Sequence, residues 1–232
     1  MDVTIRYRTF VGKPGQRPLS PDDWTLAALA AIARGGVGAV AVEVIAAELG
    51  ATKGSFYWHF KNRDALIQAA LDRWERERTE AVISDLEREP DPAVRLKKLF
   101  GASFKRGPSD RAEIALLANP GHPAAVRAVR RPAERRITYI ARQLEVLGWP
   151  TAEAHDRALV LYYVYVGYLQ MAHVAPDLVA NGEALRRQTE LVFDALAAGR
   201  PRAQADRQAS QFPGPALSLR DAEPGPSRAE DR

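Results

Sequence analysis

The chain has 232 residues, of which 46% are hydrophobic, and its formal net charge is +4. This length and apolar content are sufficient for one or two small domains with a buried core. The small net charge excludes a strongly basic protein that coats nucleic acid, so any nucleic-acid binding must depend on a local basic surface. The sequence contains no cysteine, which excludes disulfides, thiolate catalysis and cysteine-based zinc sites.

Neither an export signal nor a membrane span is visible in the sequence. Charges interrupt the apolar residues of the first ten positions, and the longest apolar run, residues 158–169, is too short to cross a bilayer. We therefore expect a cytoplasmic protein that has no membrane partner.

Residues 1–20 predict a flexible basic arm, because four basic residues face a single acid and glycine and proline interrupt residues 12–18. Such arms enter a minor groove or lie on phosphates, although an extension without a role is the alternative. A helix start follows, with Ser20 as the cap, Pro21 at the first position and acids in the first turn. This first helix ends at Gly35 and Gly36.

Residues 45–66, IAAELGATKGSFYWHFKNRDAL, predict two short helices joined by a tight turn and followed by a third. The first helix stops at Gly50, because glycine tolerates the left-handed conformation that closes a helix. Thr52 is suited to cap the next helix, and the small Ala46 allows the second helix to approach the first. In that second helix Phe56 and Phe60 lie four residues apart and should point inward. Its outer face is polar and aromatic, which suits a DNA groove.

The segment GATKGSFYWHFKNRDAL closely resembles the recognition helix and following helix of TetR-family transcriptional regulators. The resemblance covers roughly residues 22–67. It implies an all-α protein whose N-terminal three-helix DNA-binding domain, residues 21–67, contains a helix-turn-helix. A long helix then leads into a helical ligand-binding and dimerisation domain, residues 68–199. The polar, periodicity-poor residues 200–232 are expected to be a disordered tail.

The same resemblance implies which residues contact an operator. Lys61 and Arg63 are expected to anchor phosphates, with Tyr57 also anchoring and Lys53 reading bases. The full set of expected DNA contacts is Thr52, Lys53, Gly54, Ser55, Tyr57, Trp58, His59, Lys61 and Arg63. The chain departs from the family pattern before the first helix of the motif, where Val40, Ala41 and Val42 stand in place of a capping threonine. Glu43 there either accepts from a cytosine amino group or lies in solvent.

Residues 62–88 predict one long helix that leaves the DNA-binding part and enters the rest of the chain. Further helices are expected at residues 92–105, 110–118, 123–147, 152–174 and 182–198. Pro132 should kink or divide the third of these. No pair of strands, glycine-rich dinucleotide motif or phosphate loop is recognisable, so an all-helical second domain is the simplest prediction.

A helix spanning residues 151–175 is apolar almost all round, so every face of it must be covered. By the TetR resemblance it pairs with the last helix, residues 183–197, and with the same two helices of a second copy in a homodimer. The ordinary core of a monomer is the alternative. The expected interface residues are Leu161, Val164, Leu169, Leu185, Leu191, Val192 and Leu196.

A cavity for an unknown small-molecule effector is expected among the aromatic residues of the second domain, although helical aromatics also simply fill cores. The candidates are Phe100, Phe104, Leu116, Leu117, Tyr139, Tyr162, Tyr165 and Tyr168. Five arginines between residues 127 and 136 form either a solvated helix face, which we favour, or a site for an acidic ligand.

Catalysis and metal binding have little support in the sequence. His122, His155 and His173 lack an accompanying nucleophile motif or metal-ligand spacing. We therefore expect no enzyme activity, cofactor or metal. The hypothesis is a TetR-type transcriptional regulator, most simply a repressor that a small molecule releases from a palindromic double-stranded operator. The alternative is an architectural or protein-regulated DNA-binding protein without a small-molecule inducer.

Overall fold

The computed structural model describes residues 19–104 and 108–196. Within these residues every regular element is helical, which confirms the predicted all-α fold. The predicted basic arm, apart from Leu19 and Ser20, and the predicted disordered tail lie outside the described residues.

The first three helices form at the positions that the local signals predict. They are α1 (Pro21–Gly35), α2 (Val42–Glu48) and α3 (Lys53–Tyr57), with a 3₁₀ turn at Val37–Ala39. The carboxylate of Asp23 accepts hydrogen bonds from the backbone N–H and the hydroxyl of Ser20, at 2.8 and 2.7 Å. This capping arrangement, with Pro21 at the first helical position, fixes where α1 begins.

Aromatic rings hold α3 against α1. Phe56 is fully buried, and its ring lies edge-on to Trp24 with 5.5 Å between the centroids and stacks on Phe60 at 5.8 Å. Ile32, Ile45 and other apolar residues of α1 and α2 complete this N-terminal core. The predicted inward direction of Phe56 and Phe60 is therefore confirmed.

The predicted long helix is a continuous run that contains an irregularity. It consists of α4 (Arg63–Glu75), a π-helical turn (Arg76–Glu80) and α5 (Ala81–Leu86), and we call the whole run the connecting helix. Its first part belongs to the N-terminal core through residues such as Leu66 and Trp74. Its last part packs against Tyr139 through Ile83 and Leu86. Single-turn π segments inside α-helices occur frequently at functional sites.

Five further helices make up the rest of the described chain: α6 (Pro92–Ser103), α7 (Pro108–Leu117), α8 (Pro123–Val146), α9 (Thr151–Val174) and α10 (Gly182–Leu196). A second core lies between α6, α8 and α9 and contains Leu96, Leu144 and Leu161. Helix α8 continues through Pro132, so of the two expected effects, a kink or a division, the division is excluded. Pro132 lies on a buried part of α8.

Helix α7 packs on α1, a contact that the sequence does not predict. Ala112 and Leu116 of α7 are buried in the same core as Trp24 and Phe56. The N-terminal core therefore includes α7, which lies beyond residue 67. That residue is the boundary that the sequence indicated for the DNA-binding domain. A displacement of α7 would therefore change the packing against α1 directly.

Replacing Phe56 by alanine should destabilise the protein by about 3–5 kcal/mol, because the ring is fully buried and joins α3 to α1. The matched control is Trp58→Ala, two positions along the chain, where the side chain is 89% exposed and the expected change is within about 0.5 kcal/mol. Urea unfolding followed by circular dichroism measures both. Equal losses of stability for the two variants would contradict this account of the core.

Candidate functional site

The turn between α2 and α3 is built as the sequence predicts. Gly50 has a φ of 65°, the left-handed conformation that ends α2. The hydroxyl oxygen of Thr52 accepts a hydrogen bond from the backbone N–H of Ser55 at 3.2 Å, which caps α3. Helix α3 ends at Tyr57, so Trp58 and His59 lie in the turn that follows it rather than in the helix.

Most of the expected DNA contacts lie on the surface of α3 and its flanking turns. Thr52, Lys53, Gly54, Tyr57, Trp58 and Lys61 are exposed, and Ser55 and His59 are half-buried. The two phenylalanines of the same segment are buried beneath them. The outer surface of the segment is therefore basic and aromatic, and it lies over two buried rings. Contact of these side chains with DNA stays a prediction.

Lys53, the expected base reader, is paired with an acid. Its ammonium nitrogen lies 2.6 Å from a carboxylate oxygen of Glu43, and both side chains are exposed. The hydrogen bond between them lowers the pKa of Glu43 and raises the pKa of Lys53. Glu43 therefore neighbours the expected DNA-contacting residues, and its charge reduces the positive potential at Lys53.

The Arg63 side chain donates hydrogen bonds to backbone carbonyl oxygens of the protein. Its Nε donates to the carbonyl oxygen of Val40 at 2.6 Å, and an Nη donates to that of Val37 at 2.9 Å. These bonds tie the start of α4 to the turn before α2. The acceptors are backbone carbonyls more than twenty residues away along the chain, so no local pattern indicates them. The role of Arg63 as a phosphate anchor stays a prediction.

A family model described as "Bacterial regulatory proteins, tetR family" matches residues 25–70. Residues 25–70 therefore match the DNA-binding region of the TetR family. The matched residues run from α1 into α4 and include the capped turn and the exposed surface described above. The matched family consists of regulatory proteins, which supports the prediction that the chain is not an enzyme.

Individual relatives agree with this assignment. YerO of Bacillus subtilis (strain 168), described as an uncharacterized HTH-type transcriptional regulator, is 36% identical over 76 residues. That match spans 32% of this chain and 26% of YerO, about a quarter of the relative's length.

Two solved structures show the same fold over most of the described chain. A transcriptional regulator from Rhodococcus sp. Rha1 has a TM-score of 0.64 at 23% identity, covering 78% of this chain and 97% of that one. SmeT, the repressor of the Stenotrophomonas maltophilia multidrug efflux pump SmeDEF, has a TM-score of 0.59 at 22% identity, covering 78% and 89%. At these identities the likeness concerns the fold alone.

An inner cavity of about 100 Å³ lies between the connecting helix, α6, α8 and α9. Five of the eight expected pocket residues line it: Phe100, Phe104, Tyr139, Tyr162 and Tyr165. Tyr168 instead lines a larger and more open outer cavity of about 610 Å³ beside α10, which shares Phe100 and Phe104 with the inner one. Leu116 and Leu117 line neither of these cavities. Leu116 is buried in the N-terminal core, because α7 packs on α1.

Polar residues of the inner cavity were missed by the sequence reasoning. Arg78, Thr79 and Arg136 line it, the first two from the π turn of the connecting helix. Arg136 stands in a run of arginines for which a solvated face was favoured. Arg127, Arg130 and Arg131 are exposed, as favoured, and Arg131 donates to both carboxylate oxygens of Glu75. Arg136, by contrast, is 14% exposed. No local signal separates Arg136 from its solvated neighbours.

A buried network stands behind the inner cavity. Glu113 of α7 is 1% exposed, and its two oxygens accept from Arg136 at 2.5 Å and from the Tyr165 hydroxyl at 2.9 Å. The Nε of Arg136 also donates to the hydroxyl oxygen of Thr79 at 3.0 Å. Burial by itself would lower the pKa of Arg136, but the Glu113 carboxylate raises it above its ordinary value. Burial, and then Glu113, raises the pKa of Tyr165.

The expected dimer residues separate into two groups. Leu161 and Leu169 are buried inside the protomer, so they are core residues and cannot face a second chain, which corrects the prediction for both. Val164, Leu185, Val192 and Leu196 are half-buried against the second core, and Leu191 is exposed. The exposed surface of α9 carries a different set at helical spacing: Val160, Tyr163, Met171 and Val174.

Membrane-spanning helices and metal-binding groups of side chains are both absent from the described part of the chain. Residues 19–104 and 108–196 contain no helix long and apolar enough to cross a membrane. The same residues contain no group of three or more histidine, aspartate or glutamate side chains placed to hold a metal ion.

Glu43→Gln should make the salt dependence of binding to non-specific duplex DNA steeper by about one in the log–log slope. The reason is that Lys53 would lose its neutralising partner and release one more counterion. Fluorescence anisotropy across a salt series measures the slope. Glu48→Gln is the matched control, since Glu48 is an exposed acid of α2 that pairs with Arg34 instead. Identical slopes for the two variants would show that Glu43 does not act on the DNA surface.

Proposed function

We propose that this chain is a TetR-type homodimeric repressor that leaves a palindromic operator when a small molecule binds its second core. The observation that carries the proposal is the connecting helix. One continuous run begins in the core that holds α3 and ends at the wall of the inner cavity. The remaining support comes from the DNA surface, the exposed face of α9 and the packing of α7.

The surface of α3 suits sequence-specific binding. Exposed Lys53 and Trp58 are able to meet base edges or a thymine methyl, and the Tyr57 hydroxyl and Lys61 are able to reach phosphates. A surface of this size reads only a few base pairs. Two copies related by symmetry would read a palindrome whose half-sites are about one DNA turn apart.

The exposed face of α9 supports dimerisation. Tyr163 and Met171 lie eight positions apart with Gly167 between them, which makes an apolar strip along the helix. Leu191 adds an exposed apolar side chain on α10. A soluble chain rarely leaves such strips open, and two helices from each protomer would cover them in a four-helix interface.

Release by a ligand is a linkage effect. A molecule that binds better to a conformation with displaced connecting helices lowers operator affinity by its difference in affinity for the two conformations. The π turn supplies Arg78 and Thr79 to the cavity wall, so a ligand there contacts the helix that carries the DNA surface. Helix α7 offers a second route, because it joins the buried network to α1.

The sign of regulation and the location are the remaining parts of the proposal. Repression is the commonest activity that the TetR resemblance implies, and SmeT, which shares the fold, is a repressor. A cytoplasmic location suits a DNA-binding protein without cysteine. The architectural alternative lacks a use for the inner cavity, which favours the ligand-responsive repressor.

Tyr163→Glu should convert the dimer into a monomer at micromolar concentration, because it places a charge in the middle of the apolar strip. Tyr163 is 61% exposed, so the folded protomer itself should be unaffected. Val146→Glu is the matched control, since Val146 is 68% exposed on α8 and away from the strip. Sedimentation equilibrium distinguishes the masses. A wild-type monomer, or a Tyr163→Glu protein that stays dimeric, would contradict this interface.

Selection of bound duplexes from a random DNA pool tests the function itself. We expect the wild-type protein to enrich a palindrome with two half-sites. Lys53→Ala should weaken binding to that palindrome about tenfold and relax the preference at one position in each half-site. Tyr57→Phe should weaken all duplexes similarly, since a lost phosphate contact carries no sequence information.

The same selection identifies the alternative. Uniform, wholly salt-dependent binding with no enriched sequence would replace the specific repressor by the architectural protein. Enrichment of a single half-site without a palindrome would retain sequence reading and remove the dimeric mode.

A further inference from the structure

The wall of the inner cavity offers hydrogen-bond donors and positive charge, and none of its lining residues is an acid. We propose that the effector is a compact carboxylate with an apolar body, bound by Arg78 and by the hydroxyls of Tyr139 and Tyr162. This inference rests on the ligand-released repressor proposed above and names the chemical class of its ligand.

Three buried polar groups in the wall have no hydrogen-bond partner among the described residues. They are the hydroxyls of Tyr139 and Tyr162 and the Nε of Arg78. The two tyrosines are 3% and 9% exposed. A buried donor without a partner is costly, and such groups in a native protein call for an explanation. An acceptor supplied by a ligand would provide the missing partner for each of them.

The charges around the cavity favour an anion. The Nη of Arg78 lies 2.6 Å from Asp110, and that of Arg136 lies 2.5 Å from Glu113. The arginines are part of the cavity wall and the two carboxylates are not. The positive end of each ion pair is therefore the end nearer the cavity. This orientation attracts a carboxylate toward the arginines at the wall. Glu113 behind Arg136 opposes that attraction at Tyr162, whose pKa is raised first by burial and then by Glu113.

The remainder of the wall and the volume limit the body of the ligand. The apolar lining residues include Val82, Ile83, Leu99, Phe100, Ile140 and Leu161. An engineered cavity of about 150 Å³ with such a lining binds benzene. The inner cavity is smaller, at about 100 Å³, so a ligand with one aromatic ring must move the wall outward. The π turn is part of that wall, which couples ligand size to movement of the connecting helix.

Three probes of one size and different charge test the class: benzoate, benzyl alcohol and benzylamine. We expect millimolar benzoate to raise the melting temperature of the full-length protein by a few degrees, with a smaller shift for benzyl alcohol and none for benzylamine. Isothermal titration then gives the dissociation constant for benzoate. A shift by benzylamine equal to or larger than that by benzoate, or no shift by benzoate, would overturn the proposal.

Two variants test the site without disrupting the core. Tyr139→Phe and Tyr162→Phe each remove a buried hydroxyl that has no partner, so both proteins should be at least as stable as the wild type. Each should nevertheless weaken benzoate binding about tenfold, the loss expected for a hydrogen bond to a charged group. Val146→Ala, at an exposed position of α8 that does not line the cavity, is the control and should bind normally. Unchanged affinity in both cavity variants would place the carboxylate elsewhere.

Failure of this inference differs from failure of the proposed function. If a selected palindrome is bound but benzoate has no effect on the protein, the carboxylate class is wrong and the DNA reader stands. If no sequence is selected while benzoate still binds through Tyr139 and Tyr162, the ligand class stands and the repressor is wrong. If benzoate releases the palindrome from the wild-type protein but not from Tyr139→Phe, both the ligand class and the repressor are supported.

Discussion

The carboxylate of Glu113 is the constraint on which the arrangement of the helices depends. Taking a charge of this kind out of water costs several kcal/mol, and only good partners offset that cost. Arg136 of α8 and Tyr165 of α9 supply these partners, so one buried group fixes three helices at a point. Leu116, one turn further along α7, lies in the core under α1. The element that holds the network together is thus also part of the DNA-binding core.

The connecting helix gives the same two regions a second, more direct link. Trp74 packs in the N-terminal core, and Thr79, five residues later, accepts from Arg136 at the cavity. The π turn lies between the core and the cavity wall. A turn with five-residue hydrogen bonding is less favourable than a regular α-helical turn, so its geometry is easier to change. The helix therefore joins two rigid cores through its least regular segment.

The sequence predicted most accurately the features that depend on residues close together in the chain. The capped turn at Thr52, the inward pair Phe56 and Phe60, and the helix start at Pro21 depend on residues only a few positions apart. The all-helical class followed from periodicity and from the TetR resemblance. The family model confirms the same segment independently.

The errors and omissions share a physical cause, since each depends on a partner distant in the chain. Leu116 was placed at a pocket because nothing local shows that α7 packs on α1. Arg136 resembles the solvated arginines beside it, and only Glu113, twenty-three residues earlier, distinguishes it. Leu161 and Leu169 lie on a helix that is apolar almost all round, so the sequence could not separate its buried side from the exposed strip that contains Tyr163.

Two arginines of α8 therefore form ion pairs in opposite environments, one at the surface and one buried. Arg131 pairs with Glu75 at the surface, where solvent weakens the attraction and the pair contributes little to stability. Arg136 pairs with Glu113 where water is excluded, so its geometry is strictly held and any new anion nearby acts on it strongly. The carboxylate proposed above would lie in the cavity that Arg136 also lines, and its charge would weaken the attraction between Arg136 and Glu113. Weakening that pair loosens α7, and α7 packs directly on the helix that begins the DNA-binding core.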